Sequence, residues 1–444
     1  MEKSSLNYQI LRSIKDGTTI DNIITGGLFI GCGGGGAKED AETIKKQILD
    51  AIEKLETKSL NITNINPNFN NSTELKSGSV VAMMGSPDAL VSDEDYTAAE
   101  RSFKYLSNYL NEKFNFTCAI EVGGVNSLIP ILVAAQCSKE KPVSVVDGDG
   151  GKRAVPQLEL TTYGIPVDAK PLIPIAPTAL ANDKINSNIK YHIETIIDCE
   201  INPDEAVIVE EIARNVLTSS NFGNVCGISF YPFLSKNFSL KLIQKATIYD
   251  SLSVTHQVGL NLNKLLNEKE SITEYIKKRA AEDSNSALKE IFPTFKIEKI
   301  FYGRFNRFVS NDQGLKAFRN SKSTGFDYGT IIIDEWSNPN EQLSIYFENE
   351  NLIAKDNKKT LPWAMGPDMI CYLTDDGPLS NVEVFHLKKG TPIVIFGMRC
   401  DEKMRCKYIE NGFYNVIKSL EKNSDSGFIP ADVIPDSYIP IEKL

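Results

Sequence analysis

Residues 117–163 read TCAIEVGGVNSLIPILVAAQCSKEKPVSVVDGDGGKRAVPQLELTTY, and this stretch decides the predicted fold. An apolar run from Cys118 to Val122 precedes a glycine pair, and Asn126 to Gln136 has the length and apolar content of a buried helix. A second apolar run, Val143 to Val146, ends at Asp-Gly-Asp-Gly-Gly. The order strand, helix, strand predicts a parallel sheet, in which the carboxyl ends of both strands open onto one crevice.

Three acidic side chains lie at the ends of these apolar runs. Glu121 precedes Gly123 and Gly124, and Asp147 and Asp149 belong to the Asp-Gly repeat. Each acid alone has an ordinary explanation, because Asp-Gly pairs commonly form solvated turns. Their placement at neighbouring strand ends favours a functional cleft. The apolar neighbours of Glu121 predict a raised pKa that suits a general base, whereas Asp147 and Asp149 are expected to stay ionised and accessible to water.

A second glycine-rich segment lies upstream of this block. Residues 26–31 predict a strand that leads into four glycines at 33–36, and Lys38 to Lys54 predicts an amphipathic helix. Consecutive glycines before a helix leave backbone N–H groups open to a carboxylate, a phosphate or a developing oxyanion. The alternative is that the glycines only let this loop pass close to a neighbouring one. Their spacing differs from a dinucleotide-binding fingerprint.

The remaining patterns predict two domains of different character. The other elements expected before residue 286 are a helix at 6–15, a polar surface insertion at 57–77 without catalytic residues, a strand at 79–84, a helix at 96–110, an extended crossing segment at 163–184, a helix from Pro203 to about 217, a strand at 225–230 and a largely helical stretch at 240–266. Short β-branched runs follow, at 295–309, 328–334, 342–347, 369–373, 382–387 and 392–396.

These patterns predict an α/β domain at 1–285 and a β-rich domain at 286–400. Residues 401–444 form a C-terminal segment that could pack back on the first domain. A chain of 444 residues with 41% hydrophobic content can bury two cores.

The net charge of -10 argues against a nucleic-acid or anionic-membrane partner. Neither a signal peptide nor a long apolar span is visible, so a soluble, cytoplasmic protein is expected.

Cysteine and histidine usage limits the kinds of metal site. The eight cysteines contain no CxxC pair, and the three histidines, His192, His256 and His386, are far apart in the sequence. A histidine-rich zinc centre is therefore disfavoured. A divalent, oxygen-liking cation held by Glu121, Asp147 and Asp149 is an open alternative. HExxH, GxSxG and P-loop motifs are missing from the sequence.

Six segments together resemble the S-methyl thiohydantoin desulfurase-like family, which is often discussed with hydantoinase and oxoprolinase subunits. They are IGCGGGGA at 30–37, VVAMMGSP at 80–87, AIEVGGVNSLIPILVAA at 119–135, VVDGDGGKRAVPQLELTTY at 145–163, FENENLIA at 347–354 and GPDMICYL at 366–373. The resemblance implies a three-layer α/β/α N-terminal domain and a smaller, barrel-like β domain. It also implies a small-molecule substrate, a five-membered cyclic ureide or thiohydantoin, whose methylthio group is replaced by water.

The same resemblance carries a set of site residues onto this chain. They are Gly33, Gly34, Gly35, Gly36, Glu121, Gly123, Gly124, Asn126, Asp147, Asp149, Arg153, Pro156 and Glu159. Replacing a thiolate by water needs a base, donors for developing charge and a proton for the leaving group.

Roles for individual residues follow from this chemistry. Glu121 or Asp149 is the candidate base, with Glu159 to be considered next, and Asn126 is expected to orient a ring amide. The glycine loop with Arg153 is expected to bind an oxyanion or carboxylate, although Arg153 is equally a candidate partner of Asp147. Metal-assisted hydrolysis is a second route. A metabolite-binding or regulatory subunit without turnover, in a homo-oligomer or with a hydantoinase-like or oxoprolinase-like partner, is the rival function.

Overall fold

The computed structural model describes residues 8–69, 74–85, 96–139, 141–168, 170–186, 189–200, 205–219, 222, 225–283, 288–309, 327–422 and 428–444. The elements of the first part are β1 Ser13–Ile14, α1 Gly17–Ile30, α2 Lys38–Glu53, β2 Leu60–Asn64, β3 Gly78–Gly85, α3 Thr97–Tyr109, β4 Phe116–Ala119, α4 Ile129–Cys137, β5 Ser144–Asp149, β6 Pro166–Val167, β7 Lys170–Pro171, β8 Thr178–Asn186, β9 Ile189–Ile197, α5 Glu205–Leu217, β10 Val225–Phe233, α6 Leu240–Ala246, β11 Ile248–Tyr249, α7 Ser251–Glu268 and α8 Ile272–Asp283.

One mixed sheet organises this part of the molecule. Within the described residues its strand order is β1-β2-β5-β4-β3-β10-β8-β9, and β11 pairs with β5. The four central strands, β2, β5, β4 and β3, are parallel, whereas the flanking strands pair antiparallel. The parallel centre follows from the predicted strand-helix-strand units, because parallel neighbours need a crossover connection such as α3 or α4. Strands β3, β4 and β5 are almost wholly buried, as strands covered on both faces are.

Helices cover both faces of this sheet and produce three layers. Helices α1 to α4 pack with Val81 and Val145 on one face. Helix α2 does so through one apolar stripe, because Ile44, Ile48 and Ile52 recur at helical spacing and are all buried. Helices α5 and α6 pack with the opposite face, beside apolar side chains from 158–176. The three-layer α/β prediction is therefore confirmed.

The second part is built on an antiparallel sheet. Its elements are β12 Ile297–Val309, β13 Tyr328–Glu335, β14 Gln342–Glu348, β15 Glu350–Asp356, β16 Ala364–Met365, β17 Met369–Thr374, β18 Gly377–Pro378, α9 Asn381–Val384, β19 Pro392–Met398 and α10 Lys407–Ser419. Among the described residues the strand order is β16-β15-β14-β13-β12-β19-β17-β18. The sheet curls so that β15 approaches β17, and the Asn351 side chain donates 2.9 Å to the Ile370 carbonyl oxygen. The predicted β-rich, barrel-like domain is confirmed.

The two sheets are joined by an apolar interface. Phe29 of α1 stacks on Phe292 with ring centroids 4.6 Å apart and meets Phe396 of β19 edge-on. Helices α7 and α8 complete this cluster. Phe413 of α10 belongs to a further cluster that includes Leu160 of the first part and Leu352 of the second, so the C-terminal segment contacts both. The exact domain boundaries stay a prediction. No helix in the described ranges is both long enough and apolar enough to cross a membrane.

Several sequence predictions of local structure are wrong. The described residues of 6–15 contain strand β1 and no helix, and the predicted strand at 382–387 contains α9, which begins with a capping box formed by Ser380 and Glu383. Segment 57–77 includes the inner strand β2, and 163–184 leads into β8 of the main sheet. The predicted cap at Pro203 lies outside the described residues.

The predicted strand at 26–31 is the last part of helix α1. Its glycines are a contact surface and not the end of a strand. A Cβ on Gly26 would lie 1.9 Å from the Thr255 carbonyl oxygen, and one on Gly259 would lie 1.7 Å from that of Asn22. Helices α1 and α7 therefore approach each other at a distance that only glycine permits.

This contact predicts the cost of adding one methyl group. Gly259→Ala should lower the free energy of unfolding by about 3 kcal/mol or more, because the obstruction is backbone and cannot rotate away. Gly17→Ala is the matched control, since its Cβ would meet Lys45 and Leu49 at ordinary distances of 3.4 and 3.6 Å. Urea unfolding of both variants checks this. A Gly259→Ala protein as stable as Gly17→Ala would contradict the close helix contact.

Candidate functional site

The candidate site is a cleft between the two domains. It measures about 630 Å³ with its open mouth included. The first domain contributes Gly35, Gly36, Glu121 and Asn126, together with the end of β3 and residues 155–158. The second domain contributes Asn349 and Glu350 from the turn between β14 and β15. A small molecule suits a space of this size.

Glu121 follows β4 and has its carboxylate held from two sides. Its Oε1 accepts 2.6 Å from Nδ2 of Asn126, and its Oε2 accepts 2.6 Å from the backbone N–H of Val155. The residue is 5% exposed. Burial raises the pKa of Glu121 to about 7, the charge of Asp149 adds to this rise, and the two hydrogen bonds oppose it. The sequence prediction of a desolvated Glu121 agrees with this geometry.

Asn126 is placed to hold Glu121 and not to reach freely into the cleft. Its Nδ2 donates to Glu121, and its Oδ1 accepts 3.0 Å from the backbone N–H of Met83 at the end of β3. The amide therefore ties the carboxylate to the edge of the central sheet. Nδ2 of Asn126 carries two N–H groups, and one of them donates to Glu121. Only the second could orient a ring amide, as the sequence analysis expects of Asn126.

A second carboxyl group, Glu350, faces the cleft from the other domain. It is 3% exposed, and its Oε2 has no hydrogen-bond partner in the described part of the chain. Burial raises the pKa of Glu350 well above its ordinary value, and the nearby charge of Glu121 raises it further. Sequence reasoning missed this residue. The available signal was its position in FENENLIA, one of the segments that resembles the family.

More buried acids surround Arg214, which also lines the cleft. Glu210 accepts 2.6 Å from Nε of Arg214 and 3.1 Å from the backbone N–H of Leu158. Burial raises the pKa of both Glu159 and Glu348 to about 7. Glu159, a predicted substrate ligand, is buried beside this group and is not among the residues that line the cleft.

The glycine loop combines close contact with an open edge. A Cβ on Gly35 would lie 2.5 Å from the Cα of Gly123, and φ at Gly35 is +71°, so two backbones touch where side chains cannot fit. Gly35 also accepts 2.8 Å from the N–H of Val125 through its carbonyl oxygen. In the described structure no protein acceptor receives the N–H groups of Gly35 and Gly36, which line the cleft. The close approach of two loops is therefore confirmed, and binding of a ligand group by these N–H groups stays a prediction.

Asp147 and Asp149 accept hydrogen bonds from the first residues of helix α7. The prediction that they lie in a water-accessible turn is wrong. Both are in β5 and are 0% and 1% exposed. Asp147 accepts 3.0 Å from each of the N–H groups of Leu252 and Ser253, and Asp149 accepts 2.6 Å from the Ser251 hydroxyl. Burial raises the pKa of Asp147 to about 6 and that of Asp149 to about 7. Asp147 and Oδ1 of Asp149 thus hold the first turn of α7, whose first N–H groups would otherwise be unpaired. Oδ2 of Asp149 accepts from the backbone N–H groups of Gly151 and Lys152, at 3.1 and 2.7 Å.

The surroundings of Asp147 show why the segment 57–77 is not a surface insertion. Asn64 and Asn66, from this segment, donate to Asp250, and Asn64 also donates 3.3 Å to Asp147.

Across the described ranges no group of three or more His, Cys, Asp or Glu side chains is arranged to hold a metal ion. The divalent cation of the sequence analysis therefore has no described site at Glu121, Asp147 and Asp149.

Arg153 takes neither of the two roles considered from sequence. Its guanidinium is fully buried and donates 2.8 Å to Ala154, 3.0 Å to Pro367, 2.8 Å to Asp368 and 3.1 Å to Asn351, in each case to the carbonyl oxygen. It also lies 5.0 Å from the centre of the Phe413 ring. Arg153 therefore joins the first domain to the second.

Comparison with known families identifies the class of protein. The S-Me-THD-like N-terminal domain matches residues 18–191, and the S-Me-THD-like C-terminal domain matches residues 203–409. The chain belongs to the S-methyl thiohydantoin desulfurase-like family, as the resemblance predicted. No curated protein matches the chain.

A crystal structure of a protein from Chromobacterium violaceum has a similar fold. It is 17% identical to this chain, with a TM-score of 0.68, and the alignment covers 97% of this chain and 100% of the other. The likeness extends over both domains and supports the architecture described above.

Two adjacent glycines should respond differently to the same substitution. At Gly34 a Cβ would meet the Glu350 side chain, 2.2 Å from its Oε1, whereas at Gly35 it would meet backbone. Gly34→Ala should therefore move a flexible carboxyl group with less than about 1 kcal/mol lost, and Gly35→Ala should cost about 2 kcal/mol or more. Urea unfolding measures both. Equal losses would show that Glu350 is as rigid as the backbone at Gly123.

The raised pKa of Glu121 predicts how stability depends on pH. The unfolded chain ionises near the ordinary value of 4.5 and the folded one near 7, so stability is full below 4.5 and is lost as pH rises through 7. Between pH 5 and 7.5, wild type should lose roughly 2 to 3 kcal/mol more than Glu121→Gln, which cannot ionise. Urea unfolding at both pH values checks this. Parallel losses in the two proteins would contradict the raised pKa.

Proposed function

We propose that this protein is an enzyme that hydrolyses an S-methyl thiohydantoin to a hydantoin and methanethiol, with Glu121 as the general base. Family membership supports the substrate class. The single observation that carries the residue assignment is the Glu121 carboxylate, which is buried, faces the cleft and is aimed by two hydrogen bonds. A base with a pKa near the working pH is suited to abstracting a proton from water.

In this reaction water attacks the C=N carbon of the ring, which carries the methylthio group. Glu121 takes a proton from this water as the C–O bond forms, and charge develops on the ring. The N–H groups of Gly35 and Gly36 are donors available at the cleft wall for a ring oxygen. Asn126 and the N–H of Val155 keep the carboxylate fixed while it gains the proton. The C–S bond then breaks, and the methylthio group leaves as methanethiol with the proton that Glu121 took from water.

Turnover of the purified full chain tests this proposal. Methanethiol released from an S-methyl thiohydantoin is followed with a thiol-reactive dye, and the hydantoin is identified by mass. Glu121→Gln should lower kcat on the order of a hundredfold or more, with KM nearly unchanged, because one acid-base group is lost.

The matched control is Asp375→Asn. Asp375 accepts hydrogen bonds from the backbone N–H of Thr273 and two hydroxyl groups at the start of α8, and it does not line the cleft. Its loss should lower stability and leave kcat unchanged. Full turnover by Glu121→Gln would remove Glu121 from the mechanism. Tight binding of a hydantoin by wild type without thiol release would favour a metabolite-binding protein and overturn the hydrolase proposal.

A further inference from the structure

The backbone on either side of Glu350 is held by hydrogen bonds, within the second domain at Asn349 and to the first domain at Asn351. Asn349 has φ +53° and joins β14 to β15 as a single residue. Its Oδ1 accepts 2.8 Å from the N–H of Asp327, and its carbonyl oxygen accepts 2.8 Å from the Asn381 side chain. The next residue after Glu350, Asn351, donates 2.8 Å to the carbonyl oxygen of Cys32 beside the glycine loop. Hydrogen bonds to the residues before and after Glu350 therefore fix its backbone at the wall of the cleft.

The surroundings of the Glu350 carboxyl group favour its neutral form. The charged groups that act on it are the acids Glu121 and Glu348 and the guanidinium groups of Arg153 and Arg214. Arg153 donates its hydrogen bonds to carbonyl oxygens, and Arg214 donates to Glu210. A buried carboxylate oxygen without a donor costs free energy, whereas a protonated carboxyl group supplies its own donor.

The two acids facing the cleft differ in their hydrogen bonds. Both oxygens of Glu121 accept hydrogen bonds, which stabilises its ionised form. Oε2 of Glu350 accepts none within the described chain. Two neighbouring buried carboxyl groups hold one proton more favourably than they hold two negative charges. The shared proton is therefore assigned to Glu350.

We infer that Glu121 and Glu350, one from each domain, form a catalytic carboxyl pair in which Glu121 is the base and Glu350 is the proton donor to the cleft. This inference rests on the proposed hydrolysis for its chemical meaning. A buried carboxyl oxygen without a hydrogen-bond donor destabilises the fold, and a catalytic role explains why such a group lies at the wall of a cleft.

The proton balance of the reaction is met by this pair. Water adds to the C=N carbon, Glu121 takes one of its protons, and Glu350 gives a proton to the ring nitrogen. The tetrahedral carbon then re-forms C=O as the C–S bond breaks. Its hydroxyl proton passes to Glu350, and the proton held by Glu121 goes to the departing methanethiolate. Both protons of water end on product, one on nitrogen and one on sulfur, and the pair returns to its starting state.

The first test does not depend on turnover. Infrared difference spectra recorded across a pH titration detect a protonated carboxyl group through its C=O stretch. Wild type should retain such a group above about pH 8, where the acids with a pKa of about 7 are mostly ionised, and Glu350→Gln should lack it. Glu348→Gln, which removes the neighbouring acid of the same turn, should retain it. An unchanged band in Glu350→Gln would overturn the carboxyl pair, whether or not the protein turns over a thiohydantoin.

The second test uses turnover. Glu350→Gln should lower kcat on the order of a hundredfold with KM nearly unchanged, and it should abolish the decline in rate at alkaline pH that a required proton donor causes. Gly34→Ala should lower kcat in the same direction, because it displaces the Glu350 side chain without altering its chemistry.

The outcomes separate the two proposals. Wild-type kcat and an intact alkaline limb in Glu350→Gln would overturn the proton-donor role and leave the hydrolysis standing. Wild type that shows the neutral carboxyl band but releases no thiol would overturn the hydrolysis and leave the proton-holding pair standing.

Discussion

The arrangement of the site depends on the buried guanidinium of Arg153. This group reaches from the first domain to carbonyl oxygens at Asn351, Pro367 and Asp368 of the second. Asn351 directly follows Glu350, and Val155, two residues after Arg153, donates to Glu121. One side chain therefore holds together the two chain segments that lie next to the acids of the cleft. Five donors in a rigid fork suit arginine to this task, and lysine could not satisfy the same set of carbonyl groups.

In the described part of the chain, the cleft and its surroundings contain four acids whose pKa is raised and two guanidinium groups. Burial raises the pKa of Glu121, Glu159, Glu348 and Glu350, and only one of the two nearby guanidinium groups is committed to an acid, through Glu210. Such an arrangement costs stability and gives carboxyl groups that change protonation near neutral pH. A hydrolase that must both accept and donate protons can use this property.

The glycines show how one residue type serves two purposes in the same fold. Gly26 and Gly259 allow two helices to touch, and Gly35 and Gly123 allow two loops to touch. Gly34 differs, because the space that its missing side chain leaves is occupied by the carboxyl group of Glu350. The glycine loop thus links the stability of the first domain to the position of an acid supplied by the second.

The sequence by itself determined strands β3, β4 and β5, the helices α2 and α3, the β-rich second part and the burial of Glu121. Their signals are local, since apolar residues recur at strand or helix spacing within a few turns of chain. It misassigned 26–31, because glycines in a helix contact and glycines at a strand end look alike without the partner helix. Only the tertiary structure decided that Asp147 and Asp149 serve α7, that Arg153 joins the domains and that Glu350 faces Glu121. These contacts join residues about 100 to 230 positions apart, and no periodicity in the sequence records which distant element a buried polar group will meet.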